Sequence, residues 1–189
     1  MQLVARAKNM LLSPKTEWPV VAGESTDAKS LYTGYVLILA ALPPVCSFLS
    51  YALFFRRFGA NVGVGVEIAV VRYLLALAVV YILAIVASKI APSFGGRDDM
   101  GQALKLIAYS ATAAWVGGIF LLLPVLGILS LLMSLYSLYL LYVGVSPMMG
   151  VPAARVVPFT MAMILATVIV LAFMAYIVGP LLILSAMRI

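Results

Sequence analysis

Few residues in this chain could do chemistry, and their types narrow what that chemistry could be. Histidine is absent and Cys46 is the single cysteine among 189 residues. The commonest general base and metal ligand are therefore missing, as are an intrachain disulfide and a cysteine zinc site. The acidic residues are Glu17, Glu24, Glu67, Asp27, Asp98 and Asp99. Asp98-Asp99 is the one adjacent pair, and two carboxylates without further oxygen ligands make a thin divalent-cation site. Helix capping accounts for them, with Gln102 at a capping-box-like spacing from Asp99. No catalytic residue, cofactor, metal site or enzymatic activity is expected.

The other polar candidates stand inside long apolar runs. Arg72 follows Glu67 by five positions, about 140° around a helix, so the two make a poor direct pair. Arg72 could face a polar cavity for an ion or a lipid headgroup, or its side chain could snorkel to the interface. Pro43-Pro44 removes two backbone donors and frees the carbonyls near Leu39 and Ala40. Such a break could line a transport site, or it could be a kink whose polar groups are satisfied by Cys46, Ser47 and Ser50. Tyr136, Tyr139 and Tyr142 step along one side of a helix beside Ser137. Their hydroxyls are expected to bond to the neighbouring helix near Tyr109 and Ser110, or to line a polar groove. Ser110, Ala114 and Gly118 recur every four residues, a spacing that lets a second helix approach closely.

The elements that position these residues follow from composition. Hydrophobic residues make up 66% of the chain and charged ones 10%, with mean hydropathy +1.20; soluble domains run at about 45–50% and 25%. Residues 106–154 carry no charge at all, long enough to cross a ~30 Å hydrocarbon core twice. The runs are continuous rather than alternating, which excludes a membrane β-barrel. An all-α bundle of five membrane-spanning helices is expected, at about 31–55, 66–90, 102–123, 125–144 and 158–184. The third and fourth join at Leu123-Pro124 as a tight hairpin, and Gly179-Pro180 should kink or end the fifth.

Residues 1–30 form a short extramembrane segment, and 31–189 the membrane domain. Leu3, Val4, Ala7, Met10 and Leu11 share one face of an amphipathic helix opposite Arg6 and Asn9, as suits a helix lying in the interface. Ser13-Pro14 should end it, Thr16 should cap a second turn, and Trp18 should sit at headgroup depth. No secretory signal is expected; the first span acts as an uncleaved insertion helix. The net charge of +6 belongs to membrane flanks and not to a nucleic-acid surface. With the N-terminus inside, the inner side holds Arg6, Lys8, Lys15, Lys29, Lys89, Arg97, Lys105 and Arg155. The outer side holds only Arg56, Arg57, Arg72 and Arg188. That imbalance places the N-terminus in the cytoplasm and the C-terminus outside.

Three stretches carry a resemblance. Residues 7–18, Ala-Lys-Asn-Met-Leu-Leu-Ser-Pro-Lys-Thr-Glu-Trp, form a lead-in. Residues 90–96, Ile-Ala-Pro-Ser-Phe-Gly-Gly, are followed by Leu104 to Ser110. Tyr136 to Gly144 comes next, with Pro147-Met148-Met149 and Pro152 beyond. Together they resemble the Yip family of Ypt-interacting membrane proteins, in its short bacterial form. Small departures are Ala111-Thr112-Ala113, where relatives have Thr-Pro, and Phe159-Thr160 in place of Tyr-Thr. The resemblance implies five spans in a bacterial cytoplasmic (inner) membrane. Eukaryotic members are linked to vesicle trafficking and Rab-type GTPases, often through a longer N-terminal region. With about thirty residues there, GTPase binding does not carry over to this chain. The expected function is a non-enzymatic scaffold that organises the bilayer, membrane-protein partners or its own copies through intramembrane packing. The alternative is a small transporter or channel for an ion or lipid using Pro43, Pro44, Glu67 and Arg72.

Overall fold

The computed structural model describes residues 3–25, 27–54 and 61–186; Arg56, Arg57 and Arg188 lie outside them. The described chain is helical, with no strand among the described residues. Two short helices, α1 (Leu3–Leu12) and α2 (Pro14–Gly23), precede five helices long and apolar enough to cross a membrane. These spans are Ala28–Phe54, Val62–Phe94, Met100–Leu122, Pro124–Met149 and Ala153–Pro180. The last helix does not end at Gly179-Pro180; it runs on to Ala186.

The third span is the centre of the bundle. In its most apolar stretch 67% of residues are buried, against 17% for the second span and 6% for the fifth, which face outward. Every residue from Ala103 to Ser110 is buried, including Lys105. Asp99 caps this helix through a 3.0 Å bond from the Gln102 amide.

Two spans are interrupted, and each interruption is satisfied from a neighbour, as backbone groups in hydrocarbon require. The first span passes through a π-helical stretch, Tyr32–Val36, breaks at Ala40-Ala41 and resumes at Leu42. Pro43 and Pro44 therefore fall in the first turn of the resumed helix, where missing N–H groups cost least. Tyr73 donates to the Leu37 carbonyl just before the break (2.9 Å), and Tyr32 donates to the Leu77 carbonyl in return (3.0 Å). The third span pauses at Ala111, and the Ala114 amide donates to the Ser137 hydroxyl of the fourth span (2.8 Å).

Small residues set the closest approaches. A Cβ on Gly118 would lie 2.6–2.8 Å from Pro43, so the first and third spans touch backbone to backbone. Ser110 and Ala114 stand beside the fourth span, where the Ala114 amide meets Ser137, and both also line a groove between the second to fifth spans.

The N-terminal helices are part of the bundle. Met10, Trp18 and Val21 have no exposed surface, and Arg6 is only 1% exposed. Arg6 was expected on the outer face of α1 but points inward, and Trp18 is wholly buried against the bundle. α2 also begins earlier than expected: Pro14 is its first residue, and the Thr16 hydroxyl donates back to the Ser13 carbonyl (2.9 Å) instead of capping a new turn. Trp18 lies where only glycine fits, since a Cβ on Gly144 of the fourth span would stand 2.6 Å from the indole. Gly144→Val should force Trp18 out of its seat at a cost of about 1–3 kcal/mol. In a Trp115→Phe background its fluorescence should shift to longer wavelength. Gly127→Ala, at a position with open space around it, should leave the emission unchanged.

Candidate functional site

Two places concentrate the protein's polar chemistry. One lies beneath the N-terminal helices. There Arg6 forms ion pairs with Glu17 and Glu24, and the Asn9 amide also reaches Glu17 (3.3 Å). The Arg6 guanidinium stands 5.8 Å from the centre of the Tyr109 ring, within cation–π range. Tyr109 packs edge-on against Tyr35 at 4.7 Å and Trp18 at 6.5 Å. Thr112 donates to the Tyr109 carbonyl (2.6 Å), so the Tyr35 hydroxyl must donate to Thr112 (2.7 Å).

From the third span, Lys105 reaches up to α2. Its ammonium donates to the carbonyls of Val21 (3.0 Å) and Glu24 (2.7 Å), and Gln102 donates to that of Ala22 (3.0 Å). These carbonyls lie at the C-terminal end of α2, where the Glu24 amide reaches back to Val21 (3.3 Å), most last-turn carbonyls lack an intrahelical donor and the helix dipole favours a cation. A pocket of about 320 Å³ opens beside this cluster, lined by Arg6, Glu24, Asp27, Ser30, Tyr35 and Tyr109 among others.

The second place is an apolar groove of about 570 Å³ between the second, third, fourth and fifth spans. Arg72 stands on its wall, together with Ser110, Ala114, Ser137 and Thr167. The Ser110 hydroxyl has no hydrogen-bond partner among the described residues.

The intramembrane residues singled out by sequence are not brought together. Glu67 and Arg72 are both exposed, and no ion pair joins them among the described residues. Pro43 packs on Gly118, and the Pro44 carbonyl accepts from Ser47 (3.0 Å). Tyr136 donates to the Leu11 carbonyl of α1 (2.9 Å), not to the third span. Tyr139 leans on Tyr136 at 5.4 Å and is 39% exposed. The link between the third and fourth spans is made by Ser137 instead. Sequence reading missed Arg6, Lys105, Tyr35 and Thr112. For Lys105 a signal existed: a cation five residues inside an apolar helix implies a partner close by.

The three stretches behind the resemblance meet in space at this cluster. Trp18 from the first sits on Gly144 from the third, Tyr109 lies against Trp18, and Tyr136 holds Leu11. Comparison with known families agrees, since residues 8–186 match the Yip1 domain. The chain belongs to the Yip1 domain family. It is similar to inner membrane protein YohC of Escherichia coli K12, at 26% identity over 119 residues. The protein of the same name from Escherichia coli O6:H1 matches equally. The match spans 60% of this chain and 61% of those relatives. No solved structure matches.

In this Yip1 domain the end that carries α1 and α2 also holds the loops between spans two and three and between spans four and five. The Arg97 amide donates to the Met149 carbonyl across them (2.9 Å). Gly95 turns the first of these loops in the left-handed region, at φ +80°. Asp98 pairs with Lys89 (2.7 Å) and accepts from Ser88. No cluster of metal-ligating side chains occurs among the described residues.

Arg6→Ala should leave Glu17 buried without its cation, and losing one partner of a buried pair costs about 3–5 kcal/mol. The N-terminal helices should then detach, so that trypsin cleaves at Lys8 and Lys15 in the variant while the wild type resists. Bonds from Lys89 first, then from Ser88, hold the Asp98 carboxyl below its usual value near 3.8. A depressed carboxylate stabilises the fold above its unfolded pKa and loses that contribution as pH falls through the folded value. Protection of the Gly95, Gly96 and Arg97 amides, taken relative to the intrinsic exchange rate at each pH, should therefore hold at neutral pH and fall only below about pH 3.8. Asp98→Asn should abolish that pH dependence.

Proposed function

We propose that this protein is a non-enzymatic membrane-organising protein of the inner membrane. Its N-terminus is cytoplasmic and its C-terminus outside, and it acts through intramembrane packing and through the outward face of its N-terminal cap. The cap carries this reading. Arg6, Glu17, Glu24, Gln102 and Lys105 are engaged in holding α1 and α2 against the third span. A rigid plate results, not a free arm and not an open polar passage.

The outward side of that plate suits a contact surface. Val4, Lys8 and Leu12 follow one another at four-residue spacing along α1, all exposed, and Lys15 and Val20 of α2 are exposed as well. Apolar side chains beside lysines fit an anionic leaflet surface or the membrane-proximal face of a partner. The orientation is supported by the basic residues at the capped end, Lys89, Arg97, Lys105 and Arg155, and the inner-membrane location by the similarity to an inner membrane protein.

Amine-reactive cross-linking in native membranes, followed by purification in mild detergent, tests the proposal. A discrete adduct through Lys8 or Lys15, to a second copy or to a partner protein, is expected. Val4→Asp with Leu12→Asp should reduce it at least several-fold. A monodisperse monomer with no adduct in wild type would remove the organising role.

A further inference from the structure

We infer that the groove containing Arg72 is a binding site for one anionic glycerophospholipid, taken from the leaflet opposite the N-terminal cap. This does not rest on the organising role above. The first observation is depth. Lys89 marks the capped end of the second span, and from Lys89 back to Arg72 is about 25 Å of helix. Against a hydrocarbon core of ~30 Å, Arg72 then lies within about 5 Å of the opposite boundary, where lipid phosphates begin. Arg72 is exposed and unpaired with Glu67, so its guanidinium is available for a phosphate, which it can grip with two parallel hydrogen bonds.

The second observation is length. Along the second span the groove runs from Arg72 to Leu83, about 16 Å of helix. That is the depth of one leaflet's acyl layer, half of ~30 Å. A basic group at headgroup level and an apolar trough leading inward from it are the two halves of a phospholipid site. At about 570 Å³ the trough falls within the ~300–1,000 Å³ range of specific ligand sites.

The third observation is shape. Small residues line the walls from several spans, among them Ala76, Ser110, Ala114 and Ala175. Ser110 and Ala114, small residues beside the fourth span, leave room for the groove, which continues to the lipid-facing fifth span at Thr167, Leu171 and Ala175. A partner helix would need an acidic side chain at this depth to meet Arg72, whereas a phospholipid brings its phosphate there. Among the described residues Arg72 is the one charged residue lining the groove. Glu67, five positions further out, stands about 140° around the helix from it. The charge facing a bound headgroup is therefore positive and favours a net anionic one.

The test is native mass spectrometry of the full chain in mild detergent, titrated with phosphatidylglycerol and, separately, with zwitterionic phosphatidylethanolamine. One phosphatidylglycerol should remain bound per chain, in preference to phosphatidylethanolamine. Arg72→Gln should weaken retention about tenfold. Ala114→Phe should block it by filling the trough while leaving Arg72 in place. Thr167→Phe, on the little-buried fifth span, does the same should Ala114→Phe not fold. Lys29→Gln, an exposed cation outside the groove, should have no effect. Retention unchanged in Arg72→Gln, or unchanged in a folded trough-filling variant, would overturn the site. Equal retention of the two lipids would overturn its preference for an anion. A change of oligomeric state with no change in lipid retention would assign the groove to a second copy instead.

Discussion

A guanidinium held between two carboxylates under a pair of short helices ties the N-terminus to the membrane bundle. Removing such charges from water costs several kcal/mol per ion and is tolerated only when each finds partners. Arg6 has Glu17 and Glu24, and Lys105 has the carbonyl end of α2. The two cations act in series. Arg6 pins α1 to α2, and Lys105 pins α2 to the central third span. With both in place, Trp18 is pressed into the notch at Gly144, and Tyr136 closes on Leu11. If either lets go, a buried charge is left without its partner, so the cap docks as a unit or not at all.

The same rule, that hydrocarbon offers no hydrogen bonds, governs the interruptions in the spans. Leu37 and Ala114 lie where the helical ladder is broken, and each finds a side chain from another span. The breaks therefore link helices that apolar contact alone would hold weakly, because lipid tails are as apolar as leucine. Where side chains shrink to glycine the backbones meet, as at Gly118 on Pro43. Where they shrink to serine and alanine, as along the Arg72 groove, a trough is left between the spans. Packing at one end of the third span and openness at its other flank come from the same kind of sequence.

Much of this was legible beforehand. The uncharged tract of 106–154, the Leu123-Pro124 turn and the Asp99 cap each rest on local chemistry, and each appears where its residues stand. The candidate site was legible only in fragments. Tyr109, Tyr136 and Trp18 were singled out, but Tyr136 was assigned to the third span when it bonds to α1, because a tyrosine hydroxyl can pair with any donor or acceptor within reach. Arg6 was misread because helical periodicity assigns a charged residue to the water side by default. That default fails when two carboxylates wait on the inner side, one eleven and the other eighteen residues along the chain.

Hydropathy and charge spacing by themselves determined an all-helical protein of five spans, since length and apolarity are properties of each segment alone. The motif residues likewise determined its membership of the Yip1 domain family. Which residues face which was decided only by tertiary structure. Arg6 turned inward, Lys105 became the cap of a distant helix, and Ser110 with Ala114 became the wall of a groove. The physical reason is that burial of a charge, or of a small residue, is fixed by what lies opposite it. Nothing within one helical repeat records whether that neighbour is a carboxylate, a helix or an open trough.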